Sequence, residues 1–370
     1  MMGQIPEATI LIRNYTLPIT VCVCAQGLCV LMTPPFTTDS SPPSLGRRPI
    51  VDAHHHFWDL QRNHHPWLCD DAPIAFRYGD YTALKRNYLE RDYLADAADF
   101  DVQGTVYVET EWDPNDPRGE MAYVSELRAT SGLPTVAVAH TRLDCPEAAD
   151  LLAWQASFPF VRSIRHKPRS HPAPGGMGPG GMADAQWRAG FARLAPLGLR
   201  FDLQTPWWHM HEAADLARSF ADTRLIVNHA GLPSDRSPEA LQAWYSAMSV
   251  LAQCPNVSVK ISGIGMPGRD WTAQANREVV LGLIERFGVA RCMFASNFPV
   301  DGLCAGFNDI LRGFETIVAD FSADEQDALF RRNAIVTYDM GLLLDLPPGV
   351  PVGQQAKPLP VSAHPQKEFG

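Results

Sequence analysis

The chain has 370 residues, 46% of them apolar and 19% charged, with a formal net charge of −10 and a pI near 5.6. That length holds one barrel of about 250 residues with extensions, or two domains of ordinary size. The acidic balance argues against a nucleic-acid partner, which needs a basic face to displace counterions from phosphates.

Residues 17–32 (LPITVCVCAQGLCVLM) are apolar but short for a membrane span, which needs roughly 20 residues. As a signal peptide they are poor, with Arg13 the one preceding positive charge and no A-x-A-like cleavage site. A further reading starts the native protein at Met32 and makes the first 31 residues a start-site artefact. Residues 33–49 are rich in Pro, Ser and Thr and read as an unstructured lead-in, and 345–370 read as a tail of the same kind. The expected organisation is therefore an extension over 1–48, one domain over 49–344, and a tail over 345–370. Cys22, Cys24, Cys29, Cys69, Cys145, Cys254, Cys292 and Cys304 are scattered without CxxC spacing, so all eight read as reduced thiols of a cytoplasmic protein.

Inside the central block, short apolar runs alternate with segments of helical period. The runs cover 49–54, 104–110, 134–140, 161–167, 199–204, 224–230, 256–262 and 291–297, apolar on both faces as buried parallel strands are. Helical segments follow them at 92–100, 121–132, 146–155, 185–198, 211–222, 237–253 and 272–288, and a last helical region covers 307–338. Strict alternation gives a closed (β/α)8 TIM barrel or a long doubly wound sheet. No Gly-rich phosphate loop follows the first strand, which favours the barrel.

Active sites of such barrels lie at the C-terminal strand ends, and titratable residues recur there. They include Glu109 at the end of the second run, Arg165 at the end of the fourth, His229 at the end of the sixth and Lys260 in the seventh. The most specific stretch is Asp52-Ala-His-His-His-Phe-Trp-Asp59. On a strand, His54 and His56 share one face and His55 takes the other. Two imidazoles about 6–7 Å apart at Cα can grip one divalent ion or one substrate carboxylate.

With these residues the chain resembles the amidohydrolase-2 group. The motifs are DAHHHFWD at the first strand, SIRHKP at the fourth, IVNHAGLP at the sixth, VSVKISG at the seventh and MFASNFPVD at the eighth. The likeness covers about residues 50–340 and points to the lactonase branch, which includes sugar-lactone and pyrone-dicarboxylate hydrolases. The resemblance implies that His54, His56 and His229 hold zinc or bind the substrate carbonyl without metal. It also implies that Arg165 faces an anionic or hydroxylated part of the substrate and that Lys260, matching a strand-seven lysine, binds substrate or serves structurally. At the eighth strand, relatives carry Ser-Asp-Trp-Pro, whereas this chain has Ser296-Asn297-Phe298-Pro299. A carboxamide cannot take a proton from water near neutral pH. Asp301, then Glu109, are the expected replacements, with Asn297 left to bind substrate.

Two loops are expected to shape the pocket. Residues 169–183 are nearly all Gly, Pro and Met and read as a lid or a surface insertion. Trp207 and His209, after the fifth strand, read as ring-stacking and hydrogen-bonding groups or as loop packing. Trp58, Trp67 and Trp112 carry the same ambiguity. The expected function is opening of a lactone or related cyclic ester or amide of a small carboxylated or hydroxylated substrate. The expected cofactor is zinc or none, and the partner a small molecule, with no nucleic acid or membrane and a homodimer as the assembly compatible with an acidic surface. Decarboxylation by a metal-dependent relative, or a non-catalytic binding barrel, are the rival readings.

Overall fold

Each of the eight apolar runs forms a strand of one parallel sheet in the computed structural model of the protein. The structure describes residues 46–176 and 178–341, with the backbone of 11–12, 15–16, 20–24 and 27–31. Residues 1–46 form a unit of their own, where Leu11–Ile12 pairs antiparallel with Tyr15–Thr16 and Thr20–Cys24 with Gly27–Leu31. Met32, the lead-in over 33–45, the tail over 345–370 and the side chains of Cys22, Cys24 and Cys29 lie outside the described residues. Cys69, Cys145, Cys254, Cys292 and Cys304 are free thiols.

The second unit is the barrel. Its strands are β1 (Pro49–His55), β2 (Asp101–Val108), β3 (Val136–His140), β4 (Val161–Arg165), β5 (Arg200–Leu203), β6 (Leu225–Val227), β7 (Val257–Ile261) and β8 (Cys292–Phe294). Each pairs with its neighbour in chain order. The last seam closes just past β8, where Asn297 N donates to His54 O and His56 N to Phe298 O, both at 2.8 Å. Alternate residues point into the barrel because the side-chain period of a strand is two. Val51, Ala53, Val106, Val108, Val136, Val138, Ile226 and Met293 therefore form one interior cluster. Ala334, Ile335, Tyr338 and Met340, from the last described helical segment and the residues after it, join it and close the floor.

The helices are α1 (Glu90–Asp96), α2 (Gly119–Ser131), α3 (Ala148–Ala156), α4 (Ala185–Phe191), α5 (Met210–Ser219), α6 (Pro238–Ala252), α7 (Ala273–Phe287) and α8 (Phe307–Ile317). Ser237 and Thr272 accept from Ala240 N and Ala275 N, which satisfies exposed donors at the starts of α6 and α7. The helix expected over 185–198 stops at Phe191 and resumes as a 3-10 turn, Ala195–Leu197. Pro196 has no N–H with which to continue it. The final segment runs through Ala323–Asp327, a π-helical turn Ala328–Arg332, and Asn333–Tyr338.

Between β1 and α1, residues 56–89 form a connection without hydrophobic period. It holds a short helix, Pro66–Cys69, and an antiparallel bridge between Trp58 and Tyr88. Trp58, Leu68, Tyr78, Tyr81, Leu84 and Tyr88 are buried in it, so it packs as a structured cover rather than a loose loop. Among the described residues, no helix is long and apolar enough to cross a membrane.

Candidate active site

Asp52 ties the first strand to the eighth. Its carboxylate accepts from Ser296 N at 2.9 Å, from Ser296 Oγ and from Tyr93 OH at 3.1 Å. That anchor fixes the direction of the three histidines that follow. His55 points away from the barrel interior, packed between Phe57, Tyr93 and Tyr107. His54 and His56 point the other way, with ring centroids 5.0 Å apart, and His229 from the end of β6 lies 4.5 Å from His54. The three imidazoles expected to converge do so.

Burial holds all three rings neutral. His54 lies well below the ordinary range through burial and then the Lys260 charge, and His229 through burial and then Arg77. His56 is pushed down to about 3 by burial and then Arg165. His56 Nδ1 donates to Val108 O at 2.8 Å, a carbonyl being able only to accept, so its Nε2 carries the lone pair. His229 Nδ1 lies 3.0 Å from Ser262 Oγ.

Above the rings opens a cavity of about 240 Å³ at the C-terminal ends of the strands. His56, His229, Asn297, Glu109, Arg165 and Gln204 line its polar side. Glu109 Oε1 accepts from Arg165 Nε, while Arg165 NH1 reaches Gln204 Oε1 at 3.0 Å and NH2 the Glu109 carbonyl at 2.6 Å. Glu109 Oε2 accepts from Glu111 N at 2.8 Å. Burial acts to raise the Glu109 carboxyl, but the Arg165 guanidinium against it wins and holds it well below the usual carboxylate range. Four lining residues, Glu111, His229, Leu232 and Asn297, adopt left-handed backbone at φ 56°, 53°, 59° and 53°. Such strain in residues other than glycine concentrates at functional sites.

Other expected site residues take different places. Asp301 does not line the cavity; it sits behind Asn297, buried, with both oxygens engaged. Its Oδ1 accepts from Asn297 Nδ2 at 2.6 Å and Tyr78 OH at 2.9 Å, and its Oδ2 from Gly263 N at 2.9 Å. Asp301 therefore orients the Asn297 amide and does not reach a substrate. Lys260 is fully buried beneath the rings, paired with Asp202 Oδ1 at 2.7 Å and 3.5 Å from His54 Nδ1, so it cannot contact substrate. Trp207 and His209 also lie off the cavity. His209 Nδ1 pairs with Glu212 Oε1 at 2.8 Å and its Nε2 accepts from His171 N at 2.9 Å. Trp208 donates to His171 O at 3.0 Å, so this pair of residues pins the Gly-rich loop to α5. None of the described residues of that loop lines the cavity, and as placed they form no lid. Trp58 and Trp67 do line it, and Trp112 does not.

Sequence reasoning missed Arg77 and Phe76, which line the cavity together with Lys167 at the end of the fourth run. The first two come from the 56–89 connection, whose only sequence signal is its density of aromatic residues.

The donor types of the His cluster suit a divalent ion, and His54 Nε2 is buried without a hydrogen-bond partner. Their placement does not. No group of three or more His, Cys, Asp or Glu among the described residues is arranged to hold a metal ion. Lys260, Arg165 and Arg77 press positive charge on the rings, and strand eight contributes an amide where a carboxylate would offset a cation's charge. As placed, the expected metal set His54, His56 and His229 is a cluster of neutral imidazoles in a cationic setting.

A family model described as Amidohydrolase matches residues 51–340. An uncharacterised protein of Sinorhizobium fredii, y4mH, is 40% identical over 294 residues, covering 78% of this chain and 98% of its own length. An L-fucono-1,5-lactonase of Burkholderia ambifaria is 25% identical over 272 residues, covering 70% of this chain and 83% of its own. A crystal structure of an amidohydrolase from Burkholderia multivorans with bound zinc superposes with a TM-score of 0.65 at 22% identity, covering 78% of this chain and 99% of that one.

Proposed function

The chain belongs to the amidohydrolase family, and from that premise we propose that it is a hydrolase that opens a lactone, or a related activated cyclic ester, with water. The observation that carries this reading is a single small cavity in which Glu109, Arg165, His56 and His229 meet. The lactonase among its relatives, at 25% identity, supports the same choice of bond.

In this reading Glu109 replaces the strand-eight aspartate as the base. It faces the cavity and stays ionised, whereas Asp301 is sealed behind Asn297. A carboxylate stabilised this strongly by Arg165 is a weak base. It suits an ester with a good leaving group better than an amide, which needs more help. The imidazole of His229 and the remaining N–H groups of Arg165 supply dipoles where negative charge grows on the carbonyl oxygen. Gln204 and Glu109 hold the Arg165 plane fixed, so little reorganisation accompanies that charge.

Two observations favour a second reading, in which His54, His56 and His229 hold zinc after a modest shift of side chains. One is the orphaned His54 Nε2; the other is the zinc in the Burkholderia multivorans structure. Chelation separates the two. The imidazole reading expects lactone turnover to survive dialysis against a strong chelator, with elemental analysis finding no stoichiometric metal. A panel of sugar lactones, pyrone carboxylates and aromatic carboxylates tests the reaction itself. Glu109→Gln should lower lactone turnover by about 100-fold or more, in the range set by loss of a general base. Release of carbon dioxide from an aromatic acid, with no lactone opened, would overturn the proposal in favour of decarboxylation. A wild type inert to the whole panel would leave a binding barrel.

A further inference from the structure

Beneath the His cluster lies a cation that the chain supplies itself. Lys260, from β7, is fully buried, and its ammonium pairs with Asp202 Oδ1 at 2.7 Å. It stands 3.5 Å from His54 Nδ1 and 5.0 Å from the centre of the Tyr338 ring. Asp202 Oδ1 also accepts from Asn228 Nδ2 and from Tyr338 OH, both at 2.8 Å, so three donors share its charge. The Lys260 charge still reaches the imidazoles, where, after burial, it does most to keep His54 neutral.

An ammonium has three donors and no acceptor, whereas a neutral imidazole has one N–H and one lone pair. With its proton on Nδ1, His54 would set donor against donor inside a buried cluster. With the lone pair there it accepts from Lys260, and the ring proton stands on Nε2. A contact of 3.5 Å is a long hydrogen bond, but its direction is fixed, since only the imidazole can accept. His54 Nε2 is buried with no hydrogen-bond partner. In this tautomer it is an N–H in need of an acceptor, not a lone pair in need of a metal. Metal-ligating histidines hand their second N–H to a carboxylate or carbonyl, which keeps the lone pair on the ligating nitrogen. His56 has that arrangement with Val108 O. His54 has the reverse, a cation where the acceptor would be.

We propose that Lys260 is a positioning residue that fixes His54 as its Nε2–H tautomer and thereby closes the His54, His56 and His229 set to divalent ions. The strand-seven lysine is the resident cation of the cluster, and His54 is a hydrogen-bond donor in it. This assignment holds whichever bond the site cleaves.

Two measurements on the full chain test it. With histidine labelled at its ring nitrogens, two-bond proton–nitrogen spectra report which nitrogen carries the proton, and His54→Gln identifies the His54 signals by their loss. Wild type should show His54 protonated on Nε2 and bare on Nδ1, and added zinc should leave those signals in place. Removing the buried pair as a whole, in Lys260→Met with Asp202→Asn, leaves no orphaned charge and frees Nδ1 to take a share of the proton. Zinc titrated by calorimetry into chelator-dialysed protein should then bind this double variant about 10- to 100-fold more tightly than wild type, the range over which groups behind a ligating histidine act. Adding His54→Gln should remove that gain. A wild-type His54 protonated on Nδ1 overturns the proposal, as do His54 signals that move with zinc. So does a folded double variant with no gain in zinc affinity. Should the double variant fail to fold, the wild-type spectra with and without zinc still decide. Neither measurement uses turnover, so a wild type inert to every lactone but protonated on Nε2 would defeat the lactonase reading and leave the role of Lys260 standing.

Discussion

Asn297 and Asp301 act as one unit, and the distance between them decides what a single substitution does. Asn297 Nδ2 stands 2.6 Å from Asp301 Oδ1. Asn297→Asp, the change that restores the relatives' residue type, would set two carboxyls at that distance, where they must share a proton. Burial already pushes the Asp301 carboxyl up. In the variant, one folded-state carboxyl is raised further above its unfolded value. Its protonated form costs nothing at low pH, and stability is lost as pH rises out of the ordinary carboxylate range. Thermal midpoints at pH 5 and pH 8 should show Asn297→Asp losing about 1–3 kcal/mol more than wild type at the higher pH. Asn297→Asp with Asp301→Asn should recover most of it. A single variant as stable as wild type at pH 8 would mean that Asp301 does not hold the amide.

The β2–α2 unit carries a comparable charge, placed where it does not meet substrate. Glu120, in the first turn of α2, is buried, and its Oε1 accepts from Thr110 N at 2.6 Å and from Thr110 Oγ and Tyr107 OH at 2.9 Å. Burial, and then the Glu109 charge, push its carboxyl up to about 7 from an ordinary 4.5. The unfolded chain ionises first, so folding stability falls as pH climbs from about 4.5 to about 7. Glu120→Gln keeps the acceptor oxygen and removes the charge. Its denaturation midpoint should match wild type near pH 4.5 and exceed it at pH 8; equal midpoints at both would refute this. At this scale the sequence was legible where period carries information. Apolar runs marked all eight strands, and alternation put His54 and His56 on one face. It was not legible past the strand ends. Left-handed backbone at His229 and Asn297 sets where those side chains aim, and no spacing rule foresees that. Asp301 and Lys260 were accordingly expected in the cavity and lie behind or beneath it. Arg77 sits in a connection held by aromatic packing, with neither a helical nor a strand period to point to it.

Across the whole barrel, the floor and the mouth are joined by one buried polar chain. Tyr338, on the last helical turn, donates to Asp202, with its hydroxyl 2.8 Å from Oδ1 and 3.0 Å from Oδ2. Asp202 accepts from Asn228 Nδ2 at 2.8 Å and pairs with Lys260, whose ammonium stands 3.5 Å from His54 Nδ1. Arg200 Nε donates to Thr337 O at 2.6 Å and ties β5 to the same turn. The C-terminal segment thus plugs the apolar interior and also satisfies the carboxylate that compensates the Lys260 charge under the imidazoles. Removing one hydroxyl there separates these tasks, because Phe fills the same space. Tyr338→Phe should cost about 1.5–3 kcal/mol, the worth of a hydrogen bond to a charged group. In urea this reads as a lower midpoint with an unchanged slope, since the surface exposed on unfolding is the same. Tyr338→Ala also opens a cavity in the floor and should cost more, about 3–5 kcal/mol. If Tyr338→Phe were as stable as wild type, Asp202 would be satisfied by Lys260 and Asn228 alone, and the segment Asn333–Tyr338 would act on the barrel only by filling it.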